Sequence, residues 1–264
     1  MRTIEEMIIE YVESGMTNNQ AESNVCQQII INKISKSPLA DNVLIKGGVV
    51  MFHLTKNIRR ATIDLDFDFI RHDISVPSIK AFINLLNEQD KNYKIKALEI
   101  TELRQDDYHG KRVVVEIKDK STAVKFKLDI GVHTLLAIEQ PTMCFSFSKG
   151  ETFLKANPPE QIFAEKLYSL ARHGALSGRR KDIYDMYYLI KHEKLDRKVV
   201  KKCLEMITLN GLHGIRSIEE ISERVNDALG DKEFLKQLNK SKDKWLDEDD
   251  DKIVKEILDF VYSL

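Results

Sequence analysis

Three aspartates, Asp64, Asp66 and Asp68, recur at every second position in the segment from Arg59 to Ile70. From Thr62 to Ile70 the pattern alternates with the period of an extended strand, so Leu65, Phe67 and Phe69 face one way and the aspartates the other. Side chains at i and i+2 of a strand share a face, with bases roughly 6–7 Å apart, which lets Asp64 and Asp66 converge on one cluster of divalent ions. Asp129, in the alternating run from Lys125 to His133, supplies a third carboxylate if its strand pairs beside the first. Oxygen-rich ligation of this kind suits Mg2+ or Mn2+. Two such ions about 3.5–4 Å apart activate an attacking hydroxyl and stabilise a leaving pyrophosphate. The plain alternative is the wet face of an edge strand. Aspartate is a poor strand former, however, and three on one face repel one another until a counter-charge or a metal intervenes.

Upstream, Asn42–Lys46 reads as a short strand that runs into Gly47-Gly48 and the apolar stretch Val49 to Leu54. That is a strand, a tight glycine turn and a helix, and backbone N–H groups at such a helix start can hold a triphosphate. Helices are expected over 4–13, 20–36 and 77–90, and β-rich runs over 93–103, 112–118, 124–132 and 143–148. Asn157-Pro158-Pro159-Glu160 then reads as a helix start, with an N-cap residue, proline in the first turn and glutamate at the third position. From there helical periodicity dominates, broken at Gly174–Gly178, Gly211–Gly214 and Gly230. The expected fold class is α+β: a mixed-sheet domain with flanking helices over 1–150, then a helical bundle over 151–264. The acidic run Asp247 to Asp251 reads as a solvated loop or a helix start.

The composition sets outer limits. The chain has 264 residues and a formal charge of -1, so nucleic acid is not announced by global charge and any such contact needs a local basic patch. Its 3 cysteines form no CxxC pair, which argues against structural zinc and a disulfide framework. The N-terminal stretch carries acids within its apolar residues and does not read as a signal peptide. No run of about 18 apolar residues occurs. The expected location is the cytoplasm, without a membrane partner. The histidines lack zinc-protease spacing, no glycine–lysine phosphate loop is present, and no serine or cysteine nucleophile has a recognisable elbow and base.

In the helical half, Lys166 falls within the apolar stripe of Ile162, Phe163, Leu167 and Leu170. Such a lysine snorkels, pairs with acid, or reaches out to contact phosphate. Asp182 and Asp185 are neighbours on one helix face, where Lys181 can pair with Asp185. Arg172, His173, Arg179, Arg180 and Lys181 crowd the ends of the Gly174–Gly178 turn, a candidate patch for triphosphate or RNA phosphates.

Lys46-Gly47-Gly48-Val49-Val50 followed by Arg60-Ala61-Thr62-Ile63-Asp64-Leu65-Asp66-Phe67 resembles the first motif of the AbiEii/AbiGii toxin family, nucleotidyltransferases of the DNA polymerase β-like superfamily. Lys127-Leu128-Asp129-Ile130 resembles the second motif, Ala164-Glu165-Lys166-Leu167-Tyr168 the third, and Arg180-Lys181-Asp182-Ile183-Tyr184-Asp185 the fourth. The resemblance implies a nucleotidyltransferase fold followed by helices, a nucleoside triphosphate donor and often a cognate antitoxin or a role in phage defence. Some relatives modify tRNA ends. It also implies that Asp64 and Asp66 bind both metals and that Asp129 ligates the catalytic one. Gly47 and Gly48 would cradle the triphosphate, Arg60 and Lys166 would counter its charge, and Thr62, Arg180, Lys181 and Asp182 would belong to the substrate site. One departure stands out: Gly48 occupies the place where the superfamily usually has serine. Two rival functions remain open, a non-catalytic nucleotide- or partner-binding module and a metal-dependent nuclease using the same aspartates.

Overall fold

The computed structural model describes residues 2–103, 110–148, 150–210 and 214–264, with only the backbone of Asn210, so part of the expected break at 211–214 lies outside the described residues. The chain divides into two compact units, 1–134 with 140–157, and 135–139 with 158–264. No helix among the described residues is long and apolar enough to cross a membrane.

Among the described residues the first unit is a seven-stranded mixed sheet with four α-helices. Its strands are β1 (Val43–Ile45), β2 (Leu65–Phe69), β3 (Lys94–Glu102), β4 (Lys111–Lys118), β5 (Ala123–Val132), β6 (Thr142–Phe147) and β7 (Gly150–Ala156), in the spatial order β3-β4-β5-β2-β1-β7-β6. β2 runs parallel to β5 and antiparallel to β1, while β1 runs parallel to β7. The expected break near residue 150 precedes β7, which the parallel pairing with β1 makes part of the sheet.

Helices α1 (Ile4–Glu13) and α2 (Asn18–Ser35) open with capping boxes, from Thr3 with Glu6 and from Thr17 with Gln20. Both boxes satisfy N–H groups that have no partner within the helix. α3 (Gly47–Thr55) follows β1 directly, and α4 (Val76–Gln89) opens with Ser75 as its N-cap and a proline in the first turn. The apolar side of β2 is fully buried at Leu65, Phe67 and Phe69, and Phe67 and Phe69 meet Phe82 of α4. Burial of that alternating face fixes the register, because a slip of one residue would place aspartates in the core.

The second unit is helical: α5 (Pro159–His173), α6 (Lys181–His192), α7 (Arg197–Asn210), α8 (Ile218–Gly230), α9 (Lys232–Asn239) and α10 (Asp250–Tyr262). α5 packs against α6, α7 and α8, and α6 against α10. The cap of α5 is not Asn157 as the sequence suggests. Pro158 takes that position without a side-chain bond, and the Asn157 N–H instead donates to the Ile45 carbonyl in the first unit's sheet. The acidic run does start a helix: Asp249 caps α10, while Asp250 is buried and accepts from the Tyr184 hydroxyl.

His53 fastens α3 to the sheet. Its ring is 8% exposed and meets Phe145 and Phe147 of β6 edge-on. Burial pushes its pKa from 6.5 down to about 4. The unfolded chain therefore takes up the proton first as pH falls, and the stability His53 contributes is full above about 6.5 and lost towards about 4. Urea unfolding between pH 7 and pH 4 should show this loss, at most about 3 kcal/mol at ~1.4 kcal/mol per pKa unit. His53→Phe should flatten that part of the profile.

Candidate active site

Lys46 follows β1 as the N-cap of α3 and anchors this junction to β2 twice. Its N–H donates to the Asp66 carbonyl at 2.9 Å, and its ammonium lies 2.9 Å from Asp68. Asp68, only 2% exposed, is thereby the counter-charged member of the three aspartates. The chain then turns at Gly47, whose φ of +59° is left-handed and whose missing Cβ would fall 2.6 Å from Asp66 Oδ2. Glycine is required there on both counts, and the start of α3 lies directly against the Asp66 carboxylate.

Gly48 has a different reason. A Cβ there would fall 2.7 Å from Thr62 Oγ1 and 2.8 Å from Thr62 Cβ. Thr62 fills the space that a side chain at 48 would need. The Thr62 hydroxyl in turn donates to Asp64 Oδ1 at 2.6 Å.

Asp64 lies one residue before β2 rather than within it, a correction to the unbroken strand expected from Thr62 onward. The bend is held from α2. Gln27 donates from its amide to the carbonyls of Thr62 and Asp64, at 3.1 and 2.8 Å, and the Ser23 hydroxyl donates to the Ile63 carbonyl at 3.3 Å. Gln27 and Ser23 escaped the sequence reading because polar residues in a helix carry no signal of what they reach.

β5 pairs with β2 in parallel register, with Asp66 opposite Asp129. On the other side of β5, Arg112 of β4 is the cross-strand partner of Asp129 and donates to both of its oxygens, at 2.8 and 2.7 Å. Arg112 was not singled out from the sequence, since nothing short of the β4–β5 register marks it. Among the described residues the Asp66 carboxylate makes no hydrogen bond or ion pair. Its pKa is pushed up to about 7, first by desolvation and then by the Asp64 and Asp129 carboxylates, against a lowering pull from Lys46.

Oxygen donors of this kind, with Asp66 short of positive charge, fit a hard divalent cation. As arranged, no three His, Cys, Asp or Glu side chains among the described residues are gathered to hold an ion. Both Asp129 oxygens lie on Arg112, and one Asp64 oxygen on Thr62. Arg60, expected to counter phosphate charge, is 3% exposed at the end of a short 3-10 turn, Ile58–Arg60.

The second unit holds its own cluster. Lys166 of α5 places its ammonium between two carboxylates of α6, bonding to Asp182 and lying 2.9 Å from Asp185. Of the readings open to a lysine on that stripe, pairing with acid is the arrangement found. Asp185 is completely buried and also accepts from the Trp245 indole N–H at 3.1 Å. Trp245, in a stretch without any family motif, thus completes the cluster and was missed. Arg180 precedes α6 and bonds to Gln237 of α9, and Lys181 is the first residue of α6.

Residues 29–256 match the family described as nucleotidyl transferase AbiEii toxin of type IV toxin–antitoxin systems. No curated protein matches the sequence significantly. Among solved structures, JHP933 from Helicobacter pylori is similar in fold, with a TM-score of 0.51 at 14% identity over 94% of this chain and 93% of that one. A protein from H. pylori described as a candidate nucleotidyltransferase gives a TM-score of 0.47 at 15% identity, covering 94% and 95%. An antigenic nucleotidyltransferase-like protein from Paracoccidioides brasiliensis gives 0.41 at 17% identity, covering 72% and 87%.

Two outcomes are expected of the packing. Gly48→Ala should lower stability by about 1–3 kcal/mol through overpacking, and a thermal double-mutant cycle with Thr62→Gly should show coupling of about 0.5–3 kcal/mol. Trp245→Phe keeps an aromatic side chain but removes the donor to buried Asp185 and part of the packed volume, and should cost at least about 1–3 kcal/mol in urea unfolding.

Proposed function

The chain belongs to the family of AbiEii nucleotidyl transferase toxins of type IV toxin–antitoxin systems, and from that premise we propose that it transfers a nucleoside monophosphate from a nucleoside triphosphate to an acceptor, using Mg2+ or Mn2+. The observation that carries this reading is Asp66 lying opposite Asp129 on parallel strands with the Gly47 backbone against its carboxylate.

Asp64, Asp66 and Asp129 would hold the cation, which when bound neutralises triphosphate charge and makes an acceptor hydroxyl easier to deprotonate. The N–H groups at the start of α3, at Gly47 and Gly48, offer donors to phosphate oxygens. The acceptor oxygen attacks the α-phosphorus, the α–β anhydride bond breaks, pyrophosphate leaves, and the hydroxyl proton passes to a carboxylate oxygen of Asp129 or to water. Thr62 orients Asp64 through its hydroxyl. Lys166, Arg180 and Lys181 carry positive charge within the matched family region, and Asp182 is the partner of the Lys166 ammonium. The acceptor class favoured is RNA, tRNA in particular, and the partner expected in the cell is a cognate antitoxin.

The test is transfer of label. Purified protein with Mg2+, each α-32P nucleoside triphosphate in turn and total tRNA should move label onto RNA. Asp66→Asn should lower transfer by at least about 100-fold, a loss of ~2.7 kcal/mol or more in transition-state stabilisation, with an unchanged circular dichroism spectrum. Full turnover by Asp66→Asn would sink the assignment. Shortened RNA would instead mark a nuclease, and nucleotide binding without pyrophosphate release a binding module.

A further inference from the structure

Three neighbouring strands carry a row of charged side chains. Arg112 on β4 stands opposite Asp129 on β5, which stands opposite Asp66 on β2. The register of both pairings sets this order, so it does not depend on the choice of a single rotamer. Within the row the central carboxylate has two competing claims. Towards β2 it belongs with Asp64 and Asp66, the other oxygen donors. Towards β4 it is engaged at both oxygens by a planar guanidinium, at 2.8 and 2.7 Å. A carboxylate held at both oxygens by a fork keeps the orientation that the fork sets, and its remaining lone pairs are not free to turn towards a shared ion.

We infer that Arg112 is a latch on the third carboxylate: its guanidinium and a divalent cation compete for Asp129, so Arg112 sets how tightly the site takes its metal. The inference rests on the metal-dependent reading above. Two features make the latch releasable. The Arg112 side chain is 44% exposed, leaving it room to swing towards solvent, whereas that of Asp129 is 16% exposed and stays in place. An ion pair this open to water is weak, so a divalent cation can displace it. Because guanidinium keeps its charge at every physiological pH, the latch responds to metal rather than to protons. Once displaced, its five donors in a rigid fork suit the oxygens of an incoming phosphate.

The probe is Mn2+ alone, with the free ion counted by electron paramagnetic resonance in titrations of the full chain. Arg112→Met removes the fork and should bind Mn2+ about two- to fivefold more tightly than wild type, the range that an exposed pair can withhold. Arg112→Lys keeps the charge without the two-point fork and should give an intermediate gain. Asp129→Asn and Asp129→Asn/Arg112→Met should bind alike, because the latch then has nothing to hold. Unchanged or weaker binding in both Arg112 variants overturns the latch. So does an equal gain from Arg112→Met in the Asp129→Asn background, which would reflect only the loss of a nearby positive charge. Wild-type binding that survives Asp64→Asn/Asp66→Asn overturns the metal reading itself, separately from the latch.

Discussion

Two carboxylates stand side by side on parallel strands, Asp66 opposite Asp129, and the surrounding structure is arranged to tolerate their repulsion. Like charges at neighbouring strand positions destabilise a sheet, and here desolvation adds to the penalty at Asp66. The compensation is distributed over separate elements. Lys46 answers Asp68 from the start of α3, Arg112 answers Asp129 from β4, and the Thr62 hydroxyl answers Asp64 from within the same bend. The Asp66 carboxyl is raised towards neutrality. Among the described residues, Asp66 is the acid of this group whose carboxylate has no hydrogen bond or ion pair, and the start of α3 lies beside it.

The glycines belong to the same constraint. Gly47 allows the chain to turn against Asp66, and Gly48 leaves room for Thr62, which orients Asp64. Residues of α2 pin the bend from the opposite side through the carbonyls of Thr62, Ile63 and Asp64. The helical unit solves a related problem with other means. A buried carboxylate, Asp185, is held by the Lys166 ammonium and the Trp245 indole, so a segment remote in sequence fixes the geometry of two motif residues. Burying such an acid without those partners would be costly, which ties the order of the α5–α6 pair to the C-terminal stretch.

The sequence by itself determined the local features whose cause is local. Alternation from Thr62 to Ile70 marked β2 and its buried face, the glycine pair marked the turn into α3, and the four motifs together carried the family. The same local logic failed at two edges. Asp64 fell just outside β2 because a helix on the other side of the chain, through Gln27, bends it there. Asn157 looked like a helix cap, yet its N–H is drawn to the Ile45 carbonyl at the end of β1. What only the tertiary structure decided is which charges meet. Strand order and register, set by burial of apolar faces far apart in the chain, put Asp129 beside Asp66 and Arg112 across from Asp129. Helix packing likewise delivered Trp245 to Asp185. Such pairings are long-range, and no spacing along the chain encodes them, because an ion pair depends on distance in space while a motif records only distance in sequence.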